Sequence, residues 1–305
     1  MNRYWTLILV LAAVWGASYL FIKVAVEGGL EPSPLICARA AIAAIVLFGF
    51  LARTMGARRA VAELRGSWRR WVVLGVVANA LPFWLVAWGE KHVDSGIAAV
   101  AQSTVPLFTV VLGLRFLPHE PLSRLQLTGF GLGLVGVTVL AGGGPGGGRW
   151  AVAGTLAVVL SSLAYASGAV IGQRSVSSTP GPVLATGAMI AAAVSLLPFA
   201  VLERPTAMPD TDAILSLLAL ALLGTALAQL VLYRTIRLYG GRRMSLVTYL
   251  MPAFALVYGA VLLDEPITVS VLAGLALILG GVALGSGGSR ASRAARAERV
   301  EASPG

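Results

Sequence analysis

SGIAAVAQSTVPLFTVVLGLRFLPHEPLSRLQLTGFGLGLVGVTVL, residues 95 to 140, is an apolar helix broken by one proline, then a Glu-Pro turn, then a glycine-rich apolar helix. The pattern returns at residues 244 to 284, MSLVTYLMPAFALVYGAVLLDEPITVSVLAGLALILGGVAL. Pro252 falls on Pro106, Phe254 on Phe108 and Gly259 on Gly113. After a one-residue gap, Glu265-Pro266 falls on Glu120-Pro121, Gly274 on Gly129 and Gly281-Val282 on Gly136-Val137. Such internal repetition fixes the architecture before any motif is read.

Composition says where that architecture sits. Hydrophobic residues make up 57% of the 305 and charged residues 12%, about half the charged share of a soluble domain. A helix needs about 20 mostly apolar residues to cross a bilayer, and ten stretches qualify: 5–25, 34–52, 71–90, 96–116, 123–141, 151–171, 182–201, 213–233, 244–263 and 268–286. Backbone polar groups must pair within each segment in hydrocarbon, so these are expected to be helices. The fold class is therefore all-α integral membrane, ten transmembrane helices arranged as two five-helix repeats.

An odd number of crossings per copy forces the second copy to enter from the opposite side, so the repeats are expected to be inverted. The positive residues agree with that topology. With the N-terminus cytoplasmic, 18 of the 23 Lys and Arg lie in inner loops or the tail, as positive-inside orientation requires. Lys91, Arg149 and Arg204 fall outside, and Lys23 and Arg39 lie within spans. Both termini are expected in the cytoplasm of a bacterial inner membrane. The net charge of +10 thus reports topology, and no nucleic-acid partner is expected. The first span runs on through Trp15 and Tyr19 to Val26, too long for a cleaved signal. The expected organisation is a first repeat at 1–143, a Gly-rich linker at 144–150, a second repeat at 151–286 and a disordered basic tail at 287–305.

Inverted repeats are characteristic of secondary transporters, whose halves rock around a site near the midplane. The chain resembles the drug/metabolite transporter superfamily, specifically its ten-helix EamA type. The resemblance is carried by WGASYLFIK at residues 15–23, Arg39, SGIAAVAQSTVPLFT leading into LPHEPLSRLQLTGFGLGLVGV, and the echo DEPITVSVLAGLALILGGV. It implies a transporter of small polar or amphipathic metabolites working by alternating access, with export of amino acids, related metabolites or toxic compounds favoured and import left open. It also implies that spans five and ten are scaffold.

Polar side chains are costly at midspan and so face a cavity or a partner helix. Read at helical spacing, they nominate Trp15, Ser18, Tyr19, Asn79, Trp84, Gln102, Tyr165, Gln229, Thr248 and Tyr249 as substrate-lining residues. Headgroup-level anchoring is the competing account of the aromatics, and it suits Trp5, Trp68, Trp71 and Trp150 better. Pro106 and Pro252 each remove a helical hydrogen bond, freeing the carbonyls of Gln102 and Thr248. The kinks serve either as gates or only for packing. Arg39 keeps its charge and has three readings: a substrate carboxylate, snorkelling, or a charge pair with Glu27, Glu31 or Glu90. Glu90, at the outer end of span three, is the nearest candidate proton carrier. Glu120-Pro121 and Glu265-Pro266 read as helix-start caps.

His92 and His119 form no ligand pair, so no metal and no cofactor are expected. The lone Cys37 allows no intramolecular disulfide. An integral-membrane enzyme would need a catalytic constellation such as paired aspartates or HExxH, and the sequence holds none; a channel or a scaffold is the third reading. The expected partners are the lipid bilayer and a small-molecule substrate, with a homodimer left open.

Overall fold

The computed structural model describes residues 3–116, 124–142, 148–176, 179–205, 207–239 and 245–284. The Glu120-Pro121 turn, the glycine run at 143–147 and the tail lie outside them. Eleven helices run along the described residues. α1 is Arg3–Glu27, α2 Pro32–Met55, α3 Ala57–Gly66 and α4 Trp68–Glu90. α5 comes in two pieces, Ser95–Gln102 and Val105–Phe116, followed by α6, Arg124–Gly142. α7 is Arg149–Val176, α8 Gly181–Leu202, and α9 runs from Thr211 to Tyr239. α10 is Ser245–Leu262 and α11 Val269–Leu284.

Eight of these helices are long and apolar enough to span a bilayer, and α10 and α11 are shorter apolar helices. With the paired pattern of apolar segments, this is the ten-helix, all-α membrane architecture. Apolar side chains left outside, such as Ile45 at 72% and Val194 at 64% exposure, form the surface that hydrocarbon covers. α7 begins at Arg149, two residues inside the stretch expected to be linker. α3 is a helix where the sequence reading placed only a loop. Ala60 and Leu64 recur four residues apart and bury against Leu51 and Val183, while Arg58, Arg59 and Arg65 stay exposed, the pattern of a helix lying at an interface.

Packing joins the two halves throughout. α2 packs on α8, α1 on α9 and α10, and α7 on α4 and α5. Exchanging the first helix of one half for the first of the other, α1 for α7, maps these contacts onto one another, which is the signature of a pseudo-two-fold axis. α6 and α11 cross through glycine. A Cβ on Gly136 would stand 3.0 Å from the Gly274 carbonyl oxygen, and one on Gly274 3.1 Å from the Gly136 oxygen. Gly281 meets the Gly129 carbonyl and the Gly133 nitrogen in the same way. In the repeat register these two crossings are one contact made twice, and glycine permits it because hydrocarbon gives helices little reason to associate beyond close packing.

The register that sets Pro252 on Pro106 also sets Tyr165 on Tyr19 and Thr225 on Asn79. At this last pair the backbone departs from the α-helix twice in the same way. α4 opens into a π-helical turn at Val76–Ala80 and α9 into one at Leu222–Leu227. Asn79 Nδ2 donates to the Leu74 carbonyl at 3.1 Å and Thr225 Oγ1 to the Leu220 carbonyl at 2.9 Å. Each side chain thus reaches the carbonyl five residues back, and such bulges gather at functional sites.

Candidate functional site

Arg39 organises the interior. It sits seven residues into α2, about 10 Å along the axis, and is 5% exposed. Its Nε donates to Thr225 Oγ1 at 2.8 Å, and its guanidinium carbon stands 3.8 Å from the centroid of the Phe83 ring. The Thr225 hydroxyl therefore accepts from Arg39 while donating to its own helix. An arginine at helix centre costs about 2.5–3.5 kcal/mol on insertion scales. A hydrogen bond to a charged group returns about 1.5–3 kcal/mol and a desolvated cation–π contact about 2 kcal/mol, enough to hold the charge at depth. Arg39 thus turns inward instead of snorkelling. No described carboxylate lies within ion-pair distance: Lys91 holds Glu31 at 2.6 Å and Lys23 holds Glu27 at 3.2 Å, and neither Glu90 oxygen takes a hydrogen bond.

Tyr19 is buried in the same cluster as Phe83, and Tyr165 packs against that cluster. The Tyr165 ring is 6.2 Å from Phe83. Ser18 donates to its own helix at Val14 and presses against Gly224 of the α9 π turn, 2.8 Å from where a Cβ would stand. Gln229, one turn beyond Thr225, keeps its Oε1 buried with no described donor. A fixed cation against a buried aromatic ring is a combination suited to a small molecule bearing a carboxylate.

Other candidates fall elsewhere. Gln102 is fully engaged at the α5–α7 seam: its Nε2 donates to Ser162 Oγ at 3.1 Å and its Oε1 accepts from Ser161 Oγ at 2.6 Å. The Gln102 carbonyl, which Pro106 frees, accepts from Ser162 Oγ at 3.4 Å. α5 breaks at Ser103 and Thr104, just ahead of Pro106, whereas Pro252 rides inside one continuous helix. Trp15 packs on α10 and α9 with Leu250, Phe254 and Val231. Thr248 and Tyr249 are half-buried on α10.

Trp84 and Trp88 stand apart from Arg39, at the end of the molecule that carries Glu27, Glu31, Glu90, Glu203 and Glu265. Trp84 Nε1 donates to Ser33 Oγ at 2.9 Å. Trp88 meets the His92 ring at 4.6 Å, and His92 stacks on Trp150 at 5.2 Å. Desolvation together with Lys91 and Lys23 lowers the affinity of His92 for a proton below the ordinary range. Among the described residues no cluster of three His, Cys, Asp or Glu could hold a metal.

This acidic end is tied together across the halves. Glu265 does not start the helix after it: residues 264–268 are non-helical and α11 begins at Val269. Asp264, at φ 53°, turns the chain back, and the Glu265 carboxylate instead accepts from Ser95 N at 2.7 Å, Ser95 Oγ at 2.8 Å and Gly96 N at 3.1 Å. A carboxylate on the free N–H groups of a helix start is favoured by the helix dipole, but the helix served is α5 of the other half. Beside it, burial and the Glu265 charge hold the Asp94 carboxyl above its usual range. Lys23 Nζ donates to the Glu90 and Val93 carbonyls at 3.0 and 3.1 Å, and Ser33 N donates to Glu203 at 3.2 Å.

Thr225 and Phe83, the two side chains that hold Arg39, are not among the residues nominated from the sequence. The readable signal was a small polar residue in the same register position of both halves, Asn79 and Thr225, inside otherwise apolar spans.

Comparison with known proteins matches residues 3–142 and 152–286 to the EamA-like transporter family. A protein from Escherichia coli strain K12 named "Uncharacterized inner membrane transporter YedA" is 29% identical over 268 residues, covering 87% of this chain and 83% of that protein. A Salmonella typhimurium strain LT2 protein named "Probable amino-acid metabolite efflux pump" is 27% identical over 294 residues, 93% of this chain and 95% of that one. One crystal structure, 22% identical, superposes with a TM-score of 0.65 over 93% of this chain and 96% of its own, a likeness of fold alone. Two matched halves, the repeated apolar pattern and the ten apolar helices lead to one conclusion: the chain belongs to the EamA-like transporter family and is a multi-pass membrane transporter.

Proposed function

We propose that the protein exports small metabolites bearing a carboxylate, amino acids or their relatives, by alternating access around Arg39. The observation that carries this reading is the Arg39 guanidinium, held deep in the bundle by Thr225 and Phe83 with no carboxylate among the described residues on it. Arg is suited to the task because its planar fork meets a carboxylate through two hydrogen bonds. Gln229 Oε1 supplies an acceptor for an ammonium or hydroxyl group, and Tyr19 and Tyr165 supply aromatic walls. The name of the Salmonella relative points to the same substrate class. The arginine distribution supports cytoplasmic termini, which would turn the acidic end outward.

In this form the acidic end is tied across the halves by Glu265 on α5 and Glu203 on Ser33. Release on that side requires those links to part as the halves rock, while the symmetric glycine crossing of α6 and α11 stays fixed. The test is mass spectrometry of the medium of cells expressing the chain against cells expressing Thr225→Val inserted to the same level. Enrichment of a carboxylate-bearing metabolite with the intact chain, reduced about tenfold or more in the variant, is expected from loss of one charged hydrogen bond. Equal enrichment in both refutes the site.

A further inference from the structure

Among the described residues, Glu90 is a carboxyl whose surroundings the transport site leaves unexplained. It closes α4, is 0% exposed, and neither of its oxygens has a hydrogen-bond partner among the described residues. The seal around it is built. α7 presses Gly154 and Val158 against the neighbouring Gly89, where a Cβ would stand 2.9 Å from the Gly154 oxygen. Lys23 of α1 spans the Glu90 and Val93 carbonyls.

The charged groups that face Glu90 are otherwise occupied. From α1 come Tyr19, Lys23 and Glu27, from α2 Arg39, and from the segment before α11 Glu265; Lys91, His92 and Asp94 follow it in its own turn. Lys23 spends its donors on Glu27 and two backbone carbonyls, Arg39 turns to Thr225, and Glu27 and Glu265 add negative charge nearby. An ionised carboxylate buried without a hydrogen-bond donor is among the most costly groups to bury, and such a group neutralises instead.

We propose that Glu90 is a proton-binding site linked to closure of the acidic end: the carboxylate takes one proton from water as that end seals, and the acid returns it when the end opens. The link rests on the transporter reading for its use in a cycle, but the protonation itself does not. Once water enters, the Lys23 ammonium, already on the Glu90 carbonyl, is the nearest cation to receive the carboxylate. Low pH then favours the closed form seen here and high pH the open one.

Two measurements on the full-length protein in lipid nanodiscs test this without a substrate. The infrared difference spectrum, wild type minus Glu90→Gln, is expected to show a neutral-carboxyl carbonyl band at neutral pH. The second places Ile97→Cys, whose native side chain is 4% exposed, in a Cys37→Ala background and follows labelling by a membrane-impermeant maleimide from pH 6 to pH 9. Divided by the rate in Glu90→Gln at the same pH, labelling is expected to rise about tenfold or more as Glu90 ionises, a tenfold shift per pH unit being the limit for one proton. Should Glu90→Gln fail to insert, Glu90→Asp serves, with the rise retained at a shifted midpoint. Absence of the band, or a ratio constant with pH, overturns the proposal. Loss of metabolite export with both signals intact would refute the transport reading and leave the proton site standing.

Discussion

The π turn of α4 and the π turn of α9 are the same device set to different uses. Both open where the repeat register puts them, and both are closed by a side chain bonded five residues back, Asn79 to Leu74 and Thr225 to Leu220. The difference lies in what approaches. Thr225 receives Arg39, whereas the residue that the register sets on Arg39 in the second half is Ala185, buried and apolar. The ring beneath Arg39 is Phe83, and the register sets Gln229, with its orphan oxygen, on that position. Backbone and small-residue packing obey the pseudo-two-fold axis, and the chemistry breaks it. In the cycle we propose, a symmetric frame would let the halves exchange conformations at small cost, with binding confined to the side that carries the charge.

The comparison can be broken most forcefully at its charged member. Arg39→Gln is expected to lower export about ten- to a hundredfold, the loss of one or two charged hydrogen bonds to a ligand, while Ala185→Ser at the matching position leaves it within about twofold. Measured efflux at equal insertion checks both. A loss as large at Ala185 would mean that the second half binds too.

The cross-half cap comes next. Glu265→Ala leaves three donors at the start of α5 without their acceptor, and capping losses of this kind run to about 0.5–2 kcal/mol. The acidic end should loosen, and maleimide labelling of Ile97→Cys should rise about threefold to tenfold at fixed pH. Unchanged labelling would show that Glu265 caps a helix without holding the end shut.

Gly136→Ala and Gly281→Ala sharpen the symmetric side. Each drives a methyl into the backbone of the partner helix, and overpacking of this type costs about 1–3 kcal/mol. Both should lower the melting temperature by similar amounts in detergent, because they are one contact made twice. Unequal losses would show that the frame is not equivalent in its two halves.

The smallest effect is a pH dependence at His92. Burial and two lysines depress its proton affinity in the folded state, so its contribution to stability is present above about pH 6.5, the ordinary histidine value, and is lost as pH falls through the lower folded value. Protonation turns the His92–Trp150 stack into a contact between an imidazolium and an indole face, read as a change in tryptophan fluorescence with a midpoint below about 6.5. The step should vanish in His92→Ala.

The frame was legible because its signals are local and redundant. Ten apolar runs, the repeated proline and glycine positions and the arginine bias each pointed to the same ten-helix pattern. The reach of Arg39 was less so. A sequence shows a charge within a span but not which way a long side chain turns, and here the answer lies 186 residues away at Thr225. Gln102 was nominated as a lining residue, and its amide meets Ser161 and Ser162 on a helix whose packing no single span reveals. Glu265 preceded a helix and so read as its cap; the positive φ of Asp264 redirects it to α5. α3 was missed because ten residues with several arginines look like a loop until Ala60 and Leu64 are seen to share a buried face.

The claim at the centre is that Arg39 recognises a carboxylate. Thermal stabilisation of the purified protein by a panel of amino acids, each beside its decarboxylated amine, tests it directly. Carboxylate-bearing ligands should raise the melting temperature of the wild type, their amines should not, and Arg39→Gln should abolish the difference. Equal stabilisation by amines, or a difference that survives in Arg39→Gln, would contradict the account.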